Sequence, residues 1–250
     1  LENHSSLKGI RGYWQAIADL QREVIETQSS ILDKVAAYMV RVIEQSGRLF
    51  LFGTGHSHML AEEGHFRAGS LANFIPILLS SIMLHEGSLL SGRIERTPGL
   101  AEPLLDKYAP QAGDMLFIFS NSGVNQMPVE MAVAAKSRGL MVVSLSSLAY
   151  AQTAPLNSLG KRLHEVADFP IDNRILPGDA LMSLEGLPWR VAPASTVIGA
   201  LVINCLVAEV AFRLHEREGI VPVFASANMP GAADHNEHLL MHWSKLNPHI

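Results

Sequence analysis

The chain carries one cysteine, Cys205, which rules out an intrachain disulfide and fits a reducing cytoplasm. Its neighbours are apolar, so a packed, inert thiol is expected. Charge is scarce as well. Asp, Glu, Lys and Arg make up 17% of the residues, below the usual quarter, while the apolar share is 48%. That balance suits a compact protein with some surface buried against another copy. The net charge of −5 gives no electrostatic reason to expect a nucleic acid. Fixed-period repeats and low-complexity tracts are missing. Glu2, Lys8, Arg11 and Asp19 break up the start, so no secretory leader is expected there. One stretch, Ala194 to Ala208, approaches membrane length. Asn204 and Glu209 interrupt it and a strongly polar continuation follows, so it reads as a buried helix entered at Ser195 or Thr196.

What is present centres on Met115 to Arg138. A short apolar run, Met115–Phe119, leads into the polar loop Ser120-Asn-Ser-Gly123, and a helix-forming segment follows, with Gly139 placed to end it. A loop of this kind holds free backbone N–H groups at the positive end of a helix. Two serine hydroxyls beside them would make a small anion pocket. The same serines can also serve only as helix caps. A second unit stands upstream: the apolar run Arg48–Phe52, the loop Gly53-Thr-Gly-His-Ser57, then a segment from His58 to Ala68 that reads as helix. Two such units set both loops at the carboxyl ends of parallel strands, where ligands bind in open α/β sheets.

These two loops resemble the paired signatures of the sugar isomerase (SIS) domain, which binds phosphosugars, and the nearest likeness is to its bacterial phosphoheptose-isomerase-like branch. The likeness continues through Leu84–Glu86, Asn125–Ala132, Gly160–Leu163, Ala167–Asn173 and Gly178–Ala180. It implies a three-layer αβα sandwich around a five-stranded parallel sheet of flavodoxin-like kind, and a homo-oligomer, dimer or tetramer. It also implies a phosphate cup made by Ser57, Ser120 and Ser122, with Gly53, Thr54, Gly55, His56, Asn121, Gly123 and Asn125 around it. Asn125 stands where many such domains carry Thr. Phosphoheptose isomerases have a His-Phe-x-x-Glu-type segment on the first-loop helix; here His65-Phe66 is present but Gly69 falls at the glutamate position. Heptose isomerase chemistry therefore does not transfer directly.

The rest of the 250 residues reads as one domain with a helical extension over 1–46 and an α/β core over 47–250. Leu7 to Glu44 is helical by periodicity, with the polar Thr27–Ser30 as a break between two helices. Further strands are expected over Phe74–Leu79, Met141–Leu145 and Phe169–Ile171. Leu100–Tyr108 should be helical, and Pro222–Asp234 a loop with a short extended piece.

Interconverting an aldose and a ketose phosphate needs a group that moves a proton between neighbouring carbons, and a carboxylate suits that task. On a regular helix His58, Glu62 and His65 share one face, while Glu63 is placed to pair with Arg67. Glu86, after the second strand, is the other candidate base. Glu62, Glu86 and His65 are thus the catalytic candidates, with an ordinary surface ion pair as the alternative for each glutamate. Lys161 and Arg162 read as surface or phosphate-complementing residues, and Asp172, Asn173 and Asp179 as sugar-hydroxyl ligands or turn residues. In the tail, Asp234 and Glu237 have capping-box spacing. His235, His238 and His242 fall on one helical face and form a possible zinc or nickel site. No cofactor is required by the chemistry. The expected protein is a cytoplasmic sugar-phosphate isomerase without a membrane span. A non-catalytic phosphosugar sensor or a phosphosugar lyase or etherase are the alternatives.

Overall fold

The computed structural model describes residues 7–250. Five short apolar runs form a parallel sheet: β1 (Leu49–Gly53), β2 (Phe74–Pro76), β3 (Met115–Phe119), β4 (Met141–Ser146) and β5 (Phe169–Asp172). Their spatial order is β2-β1-β3-β4-β5. Almost every strand residue is buried, as expected of a parallel sheet covered on both faces. Alternate side chains go to opposite layers. Leu49, Leu51, Met115, Phe117, Val143 and Leu145 meet α1 (Lys8–Glu44), α2 (Met59–Gly64) and α8 (Ser195–Glu216). Phe50, Phe52, Leu116, Ile118 and Val142 meet α4 (Ala101–Lys107), α5 (Gln126–Ser137) and α7 (Leu163–Val166). The result is the expected three-layer sandwich with its N-terminal helix.

At the base of the sheet Arg48 and Asp114 tie the starts of β1 and β3 together. Asp114 accepts the Arg48 backbone N–H at 2.8 Å and its guanidinium at 2.7 and 3.1 Å. β2 is shorter than the expected Phe74–Leu79. Pro76 has no N–H for the ladder, and the Leu78 N–H turns to the Tyr108 hydroxyl at 2.8 Å.

The break expected at Thr27–Ser30 does not occur; α1 is one helix of 37 residues. Thr27 and Ser29 donate their hydroxyls back to the carbonyls of Glu23 and Glu26 at 2.7 and 3.2 Å, so they stay within the helix. The membrane-length stretch is α8, entered at Ser195 as expected. Ile198, Val202, Ile203 and Leu206 bury it in the core, where it packs against α1 and α2.

Two further helices, α3 (Ser88–Ile94) and α6 (Leu148–Thr153), flank the loops after β2 and β4. A small antiparallel hairpin, β6 (Ala180–Met182) with β7 (Val191–Pro193), was not anticipated and lies against α1. In the tail, Val223 forms an antiparallel bridge to Leu71, the expected extended piece. α9 (Ala232–Trp243) starts after Gly231, so Asp234 lies inside its first turn and the expected capping box does not form.

Candidate functional site

β1 and β3 are neighbours with Gly53 opposite Phe119, so the two Ser/Gly loops leave the sheet side by side. In the order β2-β1-β3-β4-β5 this is the point where the direction of strand addition reverses. The first loop folds back tightly. A 3-10 turn over Gly55–His58 brings the Ser57 N–H to the Thr54 carbonyl at 3.0 Å. A Cβ on Gly53 would lie 2.3 Å from the Ser57 carbonyl oxygen, so no other residue fits there without moving the turn. His56 is exposed at the tip.

In the second loop Gly123 has φ +63° and its N–H donates to the Ser120 carbonyl at 3.1 Å. Asn121 anchors this loop: its side-chain oxygen accepts from Asn173 at 2.8 Å and its carbonyl from the Ser147 N–H at 2.9 Å. The N–H groups of Ser122, Val124, Asn125 and Gln126 make no backbone hydrogen bond among the described residues. Asn125 caps α5 with its backbone alone, which leaves its side chain without a capping bond. Ser122 and Asn125 face a cavity of about 500 Å³ shared with Arg96, Tyr150, Asn157 and Ser158. The volume lies in the range of small-molecule pockets.

Glu95, just after α3, ties the first loop to the first turn of α5 and was missed among the sequence candidates. Its carboxylate accepts the Thr54 hydroxyl at 2.6 Å, its other oxygen meets the Arg96 guanidinium at 2.7 Å, and its carbonyl accepts the Met127 N–H at 2.9 Å. Nothing local marks this residue, since Thr54 lies 41 positions away.

The three catalytic candidates from the sequence are not brought together. The helix expected over His58–Ala68 stops at Gly64; His65 is extended and Phe66 has φ +44°. Gly64 lies against Leu51 and Phe74, and the chain turns away there. His58 and Glu62 still share a face, 3.5 Å apart, and Glu63 pairs with Arg67 as expected. His65 instead faces the tail. Its ring centre is 6.2 Å from that of His249, and burial lowers its pKa below the ordinary 6.5. Glu86 sits in an exposed turn. None of Glu62, His65, Glu86 and Glu95 lines the cavity with Ser122, but Glu95 meets its wall through Arg96.

Other polar candidates serve the chain itself. Asp172 accepts the N–H groups of Leu148 and Arg174 at 3.1 and 3.0 Å. Asp179 accepts the Ser195 N–H at 2.8 Å and its hydroxyl at 2.6 Å, closing the N-terminus of α8. Arg162 donates to the Ala151 carbonyl at 2.8 Å, and Lys161 is exposed. On α9, His235 Nε2 contacts the Val223 carbonyl at 2.7 Å, and His238 Nδ1 contacts the Asp234 carbonyl at 2.6 Å. Among the described residues no three His, Cys, Asp or Glu side chains converge as a metal-holding group. His235, His238 and His242 therefore do not form the expected cluster.

Residues 12–147 match the SIS domain. The chain is 40% identical over 235 residues to a UPF0309 protein of Brucella canis and to another of Brucella suis; each match covers 91% of this chain and 96% of the relative. Among solved structures, a phosphoheptose isomerase from Francisella tularensis superposes with a TM-score of 0.51 at 16% identity, over 82% of this chain and 98% of that one. A phosphoheptose isomerase from Neisseria gonorrhoeae gives 0.51 at 15% identity, over 85% and 100%. At those identities the likeness is one of fold.

Proposed function

The chain belongs to the SIS domain family, and from that premise we propose that it binds a phosphorylated sugar and interconverts its aldose and ketose forms. The observation that supports this most directly is the pair of Ser/Gly loops at neighbouring strand ends, with Glu95 tying the first loop to the first turn of α5. On this reading the phosphate lies on the free N–H groups of the second loop with Ser120, Ser122 and Asn125, assisted by Ser57. The sugar extends into the cavity along Arg96, Tyr150 and Asn157. Glu95 removes the proton beside the carbonyl and returns it to the adjacent carbon through an enediol. Its carboxylate, between the first loop and the cavity wall, is better placed for that than Glu62 or Glu86.

The test is incubation in D₂O with a panel of pentose, hexose, amino-sugar and heptose phosphates, followed by NMR. Deuterium beside the carbonyl with a new ketose or aldose signal is the expected result. Glu95→Gln should keep binding and lose exchange by about 10²–10⁴-fold, whereas Ser122→Leu should lose binding. Exchange at the wild-type rate in Glu95→Gln would remove that residue from the role. Binding without exchange would make the protein a sensor, and deuterium with loss of a substituent would make it a lyase.

A further inference from the structure

The cavity has two walls that belong to different parts of the chain. One is the segment 96–98 after α3; the other is the strap 154–158 after α6. The strap is tied to the second loop. Asn157 donates to the Val124 carbonyl at 2.9 Å, and further on the Leu163 N–H donates to the Gly123 carbonyl at 2.8 Å.

A single hydrogen-bond chain links the two walls through the first turns of α5. Ser158 donates its N–H and its hydroxyl to Gln126 Oε1 at 3.0 and 2.8 Å. Gln126 Nε2 donates to Glu130 Oε1 at 2.7 Å. Both Glu130 oxygens accept the Gly99 N–H, at 3.1 and 3.0 Å. Gln126 is 4% exposed, so its amide is fixed by these bonds and not by water. A buried amide with donor and acceptor both satisfied is a rigid spacer.

We propose that Gln126 and Glu130 are positioning residues that set the separation of the two walls, and with it the length of sugar phosphate the cavity takes. The proposal rests on the reading of the second loop as the phosphate site. It differs from it in consequence: the pair should govern the sugar and leave the phosphate alone. A wall held at fixed distance discriminates chain lengths because a misplaced hydroxyl leaves buried polar groups unpaired.

Calorimetric titrations with inorganic phosphate, arabinose 5-phosphate and sedoheptulose 7-phosphate test this, on wild type, Gln126→Ala, Glu130→Ala and Glu130→Gln, with a thermal melt of each. The wild type should bind phosphate and separate the two sugar phosphates by about tenfold or more. Gln126→Ala and Glu130→Ala should bring that ratio towards one, and Glu130→Ala, away from the phosphate donors, should keep phosphate affinity within about twofold. Glu130→Gln, which retains an acceptor for Gly99 and Gln126, should restore the ratio. An unchanged ratio in a folded Glu130→Ala would overturn the proposal, and so would parallel loss of phosphate and sugar-phosphate binding. Equal binding of both sugars by the wild type would overturn it while leaving the phosphate reading in place. No phosphate binding by the wild type would remove both.

Discussion

His65 and His249 meet beside the outer edge of β2, held by Asn247, whose side chain reaches the Phe74 carbonyl at 3.4 Å, and by Tyr108, 2.9 Å from His249 Nε2. Burial lowers both imidazole pKa values; each ring also feels its neighbour or a charge, with Lys107 near His249 and Glu62 partly offsetting the effect at His65. A histidine held below its unfolded value binds fewer protons when folded, so its contribution is complete above the ordinary 6.5 and is lost as pH falls below it. Urea midpoints should therefore drop between pH 7.5 and pH 5.5, and His249→Gln should flatten that dependence. A midpoint equally pH-dependent in the variant would remove this pair as the cause. These roles were illegible in sequence because His65 leaves its helix at Gly64 and its partner lies near the other end of the chain. The turns of the two loops were legible for the opposite reason. Ser120 to Gly123 and Gly53 to Ser57 make their geometry locally, from small residues between an apolar strand and a helix. Glu95 again needed a contact across the fold.

Among the elements, α8 shows how a helix end is closed from a distance. Its N-terminus has no capping bond from the N-cap residue, Ala194; the Asp179 carboxylate takes that place on Ser195. Asp179→Ala should cost about 1–2 kcal/mol, measured as a loss of unfolding free energy in denaturant with little change in phosphate binding. A loss below a few tenths would mean that water replaces the cap. The strands and α8 could be read from their apolar runs. The hairpin could not: β6 and β7 are three residues each, too short for an alternating pattern, and they depend on α1 for support. The supposed break in α1 misled because Thr and Ser signal a turn in sequence yet are accommodated in a helix by bonding back to it.

For the molecule as a whole, the apolar runs marked the strands and the SIS resemblance implied their layers, whereas the strand order needed the structure and association with another copy is a matter of surface. The hairpin docks on the start of α1 through the Tyr13 hydroxyl, 2.6 Å from the Pro193 carbonyl, and around it Ile10, Trp14, Leu184 and Trp189 are exposed. We propose that a second copy covers this face, since such patches on lone soluble chains are uncommon. Light scattering should give twice the mass of one chain or more, and Trp14→Glu with Trp189→Glu should return it to a single chain. A wild type that is already monomeric would refute this. The capped end of α8 has a last consequence for the ligand. α8 packs against the turn of the first loop, yet its positive pole is neutralised from within by Asp179. Beside the second loop, the pole of α5 has neither a side-chain cap nor an acidic residue in its first turn. If the second loop is the phosphate site, as proposed, an anion docks at the α5 pole and not at the α8 pole beside it, and a sugar phosphate has one way round to enter. On that reading the face of the sugar that meets the base, and so the stereochemistry of the product, is fixed by this asymmetry before any proton moves.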